Sequence, residues 1–380
     1  MVWSAGVESQ PIGAVVAVGA TLPGRRQNGC QIFRHLLSFR TEAEFDIVWK
    51  LPSQRSDRPP PRGPGGIRIY AIGDVHGRAD LLELLLLQIE VDIVLHPVSR
   101  PIAVFLGDYI DRGPDSKKVI DLLLMPGRTP EMVFLKGNHE AFLLNFLNDP
   151  ALLEIWRQYG GLETLISYGL KPPLNPSLNE QTRLAHDLAN AIPASHRQFL
   201  RALKLSYVCG DFLFVHAGLR PLIPIQHQTE GDLLWIRDDF LLWDKEFEKI
   251  VVHGHTPVLE PDIRFNRINI DTGAFATGRL TCMTIEAAEI VPLIAVRNWL
   301  SELPDIGMAR SDLTGSEDFS RAESDDRAKH AGSRKAATGK PTPNPAVVAA
   351  LHAKKLKEDV KFYDEHALAL LDPRRQTDAN

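Results

Sequence analysis

Short apolar, β-rich runs that each end in a loop of potential ligands constrain this chain more than any other feature. Ile67 to Ile72 runs into Gly73-Asp74-Val75-His76-Gly77, and Ile102 to Leu106 into Gly107-Asp108-Tyr109-Ile110-Asp111-Arg112-Gly113. Met132 to Leu135 precedes Gly137-Asn138-His139-Glu140, Phe212 to Val215 precedes His216, and Ile250 to Val252 precedes His253 and His255. In an α/β fold, strands deliver side chains to one edge of a sheet, and ligands bind outside their carboxyl ends. Helical patterns at Leu81 to Leu95 and Ser116 to Leu124 lie between the early runs. Arg267 to Ile270 and Leu280 to Ile285 read as strands that complete a second sheet. The pattern predicts an α/β fold of two packed mixed sheets flanked by helices, with a site on the strand-end rim.

At 380 residues, 44% hydrophobic and 24% charged, the chain can bury a full core with sequence left for tails. Its net charge of -5, with basic and acidic residues interspersed, argues against a nucleic-acid duplex as partner. Cys30, Cys209 and Cys282 are far apart and form no CxxC pair, which disfavours a disulfide framework or a structural zinc site and fits a reducing cytoplasm. The apolar run from Ile12 to Leu22 is short, broken by glycine and preceded by Glu8, so it makes a poor secretory signal. No run approaches the roughly 18 apolar residues of a membrane span. A cytoplasmic protein without membrane contact is expected.

The composition divides the chain further. Residues 1–66, ending in a Pro- and Gly-rich stretch, read as a disordered extension, with a short amphipathic helix conceivable from Gln31 to Trp49. Residues 67–303 form the expected catalytic domain, with a helical cap at 141–205. Its aromatics Trp156, Tyr159 and Tyr168 are expected to pack helices together more than to touch substrate. Residues 304–344 have the composition of a disordered linker. Within 345–371, Leu351, Leu356, Val360, Tyr363, Ala367 and Leu370 recur at helical spacing, giving an amphipathic helix able to bind a protein partner, and 372–380 is a tail.

The loops carry the chemistry. Asp74 and His76 are two residues apart, so on an extended backbone both point to one side and can grip the same ion. Asp108 has two carboxylate oxygens and can bridge two ions, while Asn138 offers a carbonyl oxygen and His216 and His255 offer imidazoles. That mixture suits manganese, iron or zinc better than an all-oxygen calcium site. The arrangement expected is Asp74, His76 and Asp108 on one metal and Asp108, Asn138, His216 and His255 on the other. Two metals about 3.5 to 4 Å apart can hold a hydroxide nucleophile between them and neutralise phosphoryl oxygens. His139 is the candidate general acid, with Asp111 placed to favour its charged form. Arg112, and Arg237 from across the cleft, are candidate phosphate clamps, and Asn138 lies in the same phosphate-binding set. His253 is expected to support a ligand and Asp271 to support the site or a turn. The other histidines, His196 among them, read as surface or core residues.

These blocks resemble the phosphoprotein phosphatase branch of the calcineurin-like metallophosphoesterases, whose pattern is GDxHG, GDxxDRG, GNHE and two later histidines. The resemblance covers about Ile67 to Glu286. It implies a four-layer α/β/β/α sandwich, a dinuclear centre often active with manganese, and phosphomonoester hydrolysis. It also places Asp74, His76, Asp108, Asn138, His216 and His255 on metal positions, and Asp111, Arg112, His139 and Arg237 on catalytic and phosphate-binding positions. The contexts of His216, His255, Tyr159 and Tyr168 look like bacterial and phage members. The leading expectation is a serine/threonine protein phosphatase acting on phosphorylated proteins or small phosphoesters. The alternative is a dinucleoside polyphosphate hydrolase, against whose symmetrical type Asp111 stands as a second acid in its loop. A third reading, from another class, is a non-catalytic module that binds phosphorylated proteins.

Overall fold

A computed structural model describes residues 61–296. Of the expected disordered extension at 1–66, residues 1–60, with the Gln31 to Trp49 helix, lie outside the described residues. So do the last residues of the catalytic domain, the 304–344 linker, the 345–371 helix and the tail. Residues 61–66 are instead held on the core, the Arg62 amide donating to Asp211 Oδ2 at 2.9 Å and the Gly63 amide to the Ala287 carbonyl at 2.8 Å.

The described chain builds two five-stranded sheets. The first has β1 (Ile67–Ile72) at its centre, parallel to β2 (Arg100–Phe105), which is parallel to β3 (Glu131–Phe134). On the other side of β1 run β9 (Arg279–Glu286) and then β10 (Glu289–Val296), both antiparallel to their neighbours. The second sheet takes β4 (Ser206–Cys209), β5 (Phe212–Val215), β6 (Ile250–His253), β8 (Arg267–Asn269) and β7 (Asp262–Ile263) in that order. One expectation is thereby corrected. The strand around Leu280 to Ile285 joins the first sheet, not the second, because Ile285 pairs with Ile69 and Cys282 with Ile72.

Alternation along β1 shows how the layers form. Ile69 and Ala71 face the second sheet, packing with Phe212, Phe214, Val252 and Ile268. Tyr70 and Ile72 face the other way, onto α1 (Ala79–Leu95) and α2 (Ser116–Leu123) through Leu82, Leu85, Val119 and Ile120. With side chains two apart on one face, a strand apolar throughout is what burial on both faces requires. Each such fully buried side chain contributes about 1.5 to 3 kcal/mol. The outer face of the second sheet is covered by α8 (Glu230–Trp235) and α9 (Asp238–Leu241), through Leu213, Val251, Leu233 and Phe240. The result is a four-layer α/β/β/α sandwich.

Between β3 and β4 the chain is helical, as expected of the cap, and runs through α3 (Asn138–Phe146), α4 (Leu153–Gln158), α5 (Gly161–Ser167), α6 (Leu178–Ala191) and α7 (Ala194–Ala202). Trp156, Leu165, Leu184 and Phe199 from these helices are buried in the same core as α1 and α2. No helix among the described residues is long and apolar enough to cross a membrane. Cys209 and Cys282 are buried and unbridged.

Candidate metal centre

The carboxyl ends of β1, β2, β3, β5, β6 and β8 lead into one cleft. Among its lining residues, His76, Asp108, Asp111, Arg112 and His255 hold left-handed backbone angles, with φ between 45° and 71°. Non-glycine residues in that region cost of order 1 to 3 kcal/mol each and persist where the surroundings over-determine them. The first strand ends at Ile72, and His76 has φ 45°, so Asp74 and His76 are not related by strand alternation. Loop geometry, not an extended backbone, sets their directions.

Two groups of ligand-bearing side chains share Asp108. Ligand atoms of His76, Asp108 and His139 lie within 4.8 Å of one another, and so do those of Asp108, His216 and His255. Asp108 Oδ2 is 3.5 Å from His76 Nε2 and 3.4 Å from His216 Nε2. Asn138 Oδ1 is 2.8 Å from His216 Nε2 and 2.9 Å from His255 Nδ1. Asp74 stands beside the second group, its Oδ2 accepting the His255 amide at 3.0 Å. Two glycines leave room for this. A Cβ on Gly137 would collide with Asp108 Oδ1, and one on Gly254 with Asp74 Oδ1.

The imidazoles are oriented from behind. His76 Nδ1 contacts the Ile110 carbonyl at 3.0 Å and His216 Nδ1 the Leu106 carbonyl at 3.0 Å, which leaves both Nε2 atoms facing the cleft. His139 is oriented by a carboxylate instead. Its Nδ1 is 2.7 Å from Asp111 Oδ2, and Asp111 also receives Trp156 Nε1 at 2.7 Å and Thr164 Oγ1 at 2.5 Å.

The electrostatics of the cleft call for cations. Burial raises the Asp74 carboxyl, with Asp271 and Asp108 adding repulsion, and burial raises Asp108, with Glu140 adding to it. Burial lowers His76, His139 and His255, and positive charge from Arg112 or Arg237 lowers them further. His216 is pushed down to about 3 by burial. Neutral imidazole is the form that ligates a metal. Asp74 Oδ1, His139 Nε2 and His255 Nε2 are buried with no hydrogen-bond partner in the protein. Such atoms are costly unless something fills the space between them, and the donor set fits divalent ions.

Beside His139, burial works against charge on both partners: it lowers the imidazole and lifts Asp111 to about 7. Burial thus opposes the charge on His139 that Asp111 is expected to favour. Arg112 lies at the rim with its guanidinium over the Phe275 ring. Arg237, at the start of α9, is close enough to His255, His139 and His216 for its charge to lower all three. Asp271 is hydrogen-bonded to Asp74 and takes the Gly273 amide at 2.9 Å. His253 points away from the cleft, its ring edge-on to Phe240 at 4.9 Å.

Three contributors carry no signal in the ligand pattern. Glu140 accepts backbone amides of Asp108 at 3.0 Å, Tyr109 at 2.8 Å and Gly137 at 2.9 Å, tying two ligand loops together. Trp156 and Thr164 reach Asp111 from the cap, 45 and 53 residues along the chain. Glu140 stands at the end of the GNHE block, whereas Trp156 and Thr164 belong to no motif, and the sequence suggests only packing for Trp156.

Comparison with known proteins follows the same outline. The model of the calcineurin-like phosphoesterase family matches residues 67–280. The asymmetrical bis(5'-nucleosyl)-tetraphosphatase PrpE of Oceanobacillus iheyensis is 30% identical over 257 residues, covering 62% of this chain and 96% of that protein. The same enzyme of Anoxybacillus flavithermus is 27% identical over 254 residues, 61% of this chain and 96% of that protein. Among solved structures, the cold-active protein-tyrosine phosphatase of a psychrophilic Shewanella superposes with a TM-score of 0.40 at 15% identity, over 65% of this chain and 87% of that one. With the family match running from β1 into β9, through every loop that lines the cleft, the chain belongs to the calcineurin-like phosphoesterases, and is a phosphoester hydrolase of that family.

Proposed function

We propose that this phosphoesterase hydrolyses dinucleoside tetraphosphates asymmetrically, to a nucleoside triphosphate and a nucleoside monophosphate. The observation that carries the reading is the likeness to asymmetrical tetraphosphatases along almost their whole length. Asp111 does not oppose it, since that residue speaks only against the symmetrical hydrolases. Divalent ions bound by Asp74, His76, Asp108, Asn138, His216 and His255 would supply Lewis acidity, neutralising phosphoryl oxygens and acidifying water. Arg112 and Arg237, whose charges both reach His139, His216 and His255, bind and align the polyphosphate. His139 holds the proton that the departing phosphate oxygen takes up.

A second reading is hydrolysis of phosphoserine and phosphothreonine, and the Asp111–His139 pair favours it. An alkoxide leaves poorly unless protonated, and a buried, carboxylate-oriented imidazole is suited to that task. Comparing kcat/KM for diadenosine tetraphosphate and for a phosphoserine peptide, in protein loaded with manganese, separates the two. A dinucleotide preference of tenfold or more, with nucleoside triphosphate and monophosphate as products, supports the first reading; a peptide preference of that size replaces it with the second.

A further inference from the structure

We infer that Phe275 is the positioning residue that aims the Arg112 guanidinium at a bound phosphoryl group. The inference rests on Arg112 acting as a phosphate clamp. The Arg112 backbone is fixed by its φ of 66° and by its amide, which donates to the Gly160 carbonyl of the cap at 3.1 Å. Its side chain is held differently. Among the described residues the guanidinium makes no hydrogen bond or ion pair within 4 Å, although its charge acts on Asp74, Asp108, Asp111 and Asp271, and it lies over the Phe275 ring, 4.8 Å from guanidinium carbon to ring centroid.

That arrangement has a physical logic. A long arginine side chain loses rotamer freedom when it is ordered, which weakens whatever it binds. A carboxylate partner would order it but would occupy the donors and offset the charge that a phosphate needs. An aromatic face attracts the cation through its quadrupole and leaves the planar fork of N–H groups free.

The ring is itself anchored to the cleft. Its edge meets His76 at 5.5 Å and 83°. It sits on a short turn, α10 (Ala274–Thr277), entered through Gly273, whose amide donates to Asp271 Oδ1 at 2.9 Å. Thr277 Oγ1 closes the turn onto the Thr272 carbonyl at 2.8 Å. Asp271 is also hydrogen-bonded to Asp74. The direction of the clamp is thus linked through one loop to the Asp74 carboxylate.

The test is calorimetric binding of inorganic phosphate to the full chain loaded with manganese. Phe275→Leu and Phe275→Met, which keep apolar bulk without a ring, are expected to weaken binding about 3- to 30-fold, the range of a cation–π contact. Phe275→Tyr should bind within about 2-fold of the unaltered chain. In an Arg112→Ala background, Phe275→Leu should cause no further loss. Unchanged phosphate affinity in whichever aliphatic variant keeps its thermal midpoint and metal content overturns the inference, as does an equal loss in the Arg112→Ala background. Should the expected pattern appear in a protein that hydrolyses neither dinucleotide nor phosphopeptide, the inference stands and the proposed function fails.

Discussion

His139 Nδ1 and Asp111 Oδ2 are 2.7 Å apart, with both side chains buried and the imidazole Nε2 facing the cleft without a protein partner. The geometry fixes which nitrogen serves the reaction. If Nε2 delivers a proton to the leaving oxygen, His139→Ala should lower kcat about 100- to 10,000-fold on a phosphoserine peptide, the usual size of a general-acid contribution. The loss should be much smaller on 4-nitrophenyl phosphate, whose leaving group needs no proton. Equal losses on both substrates, measured in steady state, would point to a structural role.

Trp156 ties the cap to this pair. Trp156→Phe keeps most of the ring's packing but removes the 2.7 Å bond to the buried Asp111 carboxylate. A hydrogen bond to a charged group is worth about 1.5 to 3 kcal/mol, and urea denaturation should show a loss of that order. Thr164→Val, which removes the other oxygen's donor, should behave alike. The two losses are expected to be non-additive, because both bonds end on one carboxylate.

Glu140 makes a sharper case. Its two oxygens take four backbone amides from the Asp108 and Asn138 loops. In Glu140→Gln one of those oxygens becomes an amide group that cannot accept, leaving buried N–H groups unsatisfied. Urea denaturation should show a loss of at least about 2 kcal/mol, and metal affinity should fall with it because both loops carry ligands.

On α7, His196 lies between Tyr168 and Asp121, with Nδ1 2.9 Å from Tyr168 Oη and Nε2 2.9 Å from Asp121 Oδ1. Burial holds its pKa below the ordinary 6.5; Asp121 opposes that shift and Lys117 adds to it. Below pH 6.5 the unfolded chain therefore takes up a proton that the folded chain resists. Its contribution to stability is complete above that pH and is lost as the pH falls toward the lowered value. Thermal midpoints from pH 7.5 to 5.5 should decline less steeply for His196→Gln than for the unaltered chain, and identical slopes would contradict the assignment.

The strands were legible because burial on both faces leaves continuous apolar runs, and because each parallel run had to end in a loop. Phe212–Val215 and Ile67–Ile72 stand where the pattern put them. The placement of Leu280 to Ile285 was not legible, since an apolar strand fits either sheet and only pairing with Ile69 decides it. Asp74, His76, Asp108, Asn138, His216 and His255 could be singled out by residue type after a strand. What escaped was support from a distance: Trp156 and Thr164 on Asp111, and Phe275 under Arg112. Such contacts leave no spacing to read. The left-handed backbone at His76 and Asp108 also escaped, because neither residue type announces that conformation.

Asp108 is shared by two groups of ligand side chains, which together would hold two cations. Metal content per chain, measured after chelation, reloading with manganese and desalting, tests it directly. The unaltered protein should retain about two ions, and Asp108→Ala should lose affinity for both together. Retention of one ion or none by the unaltered chain, or of both ions by Asp108→Ala, would rule out a shared two-cation site.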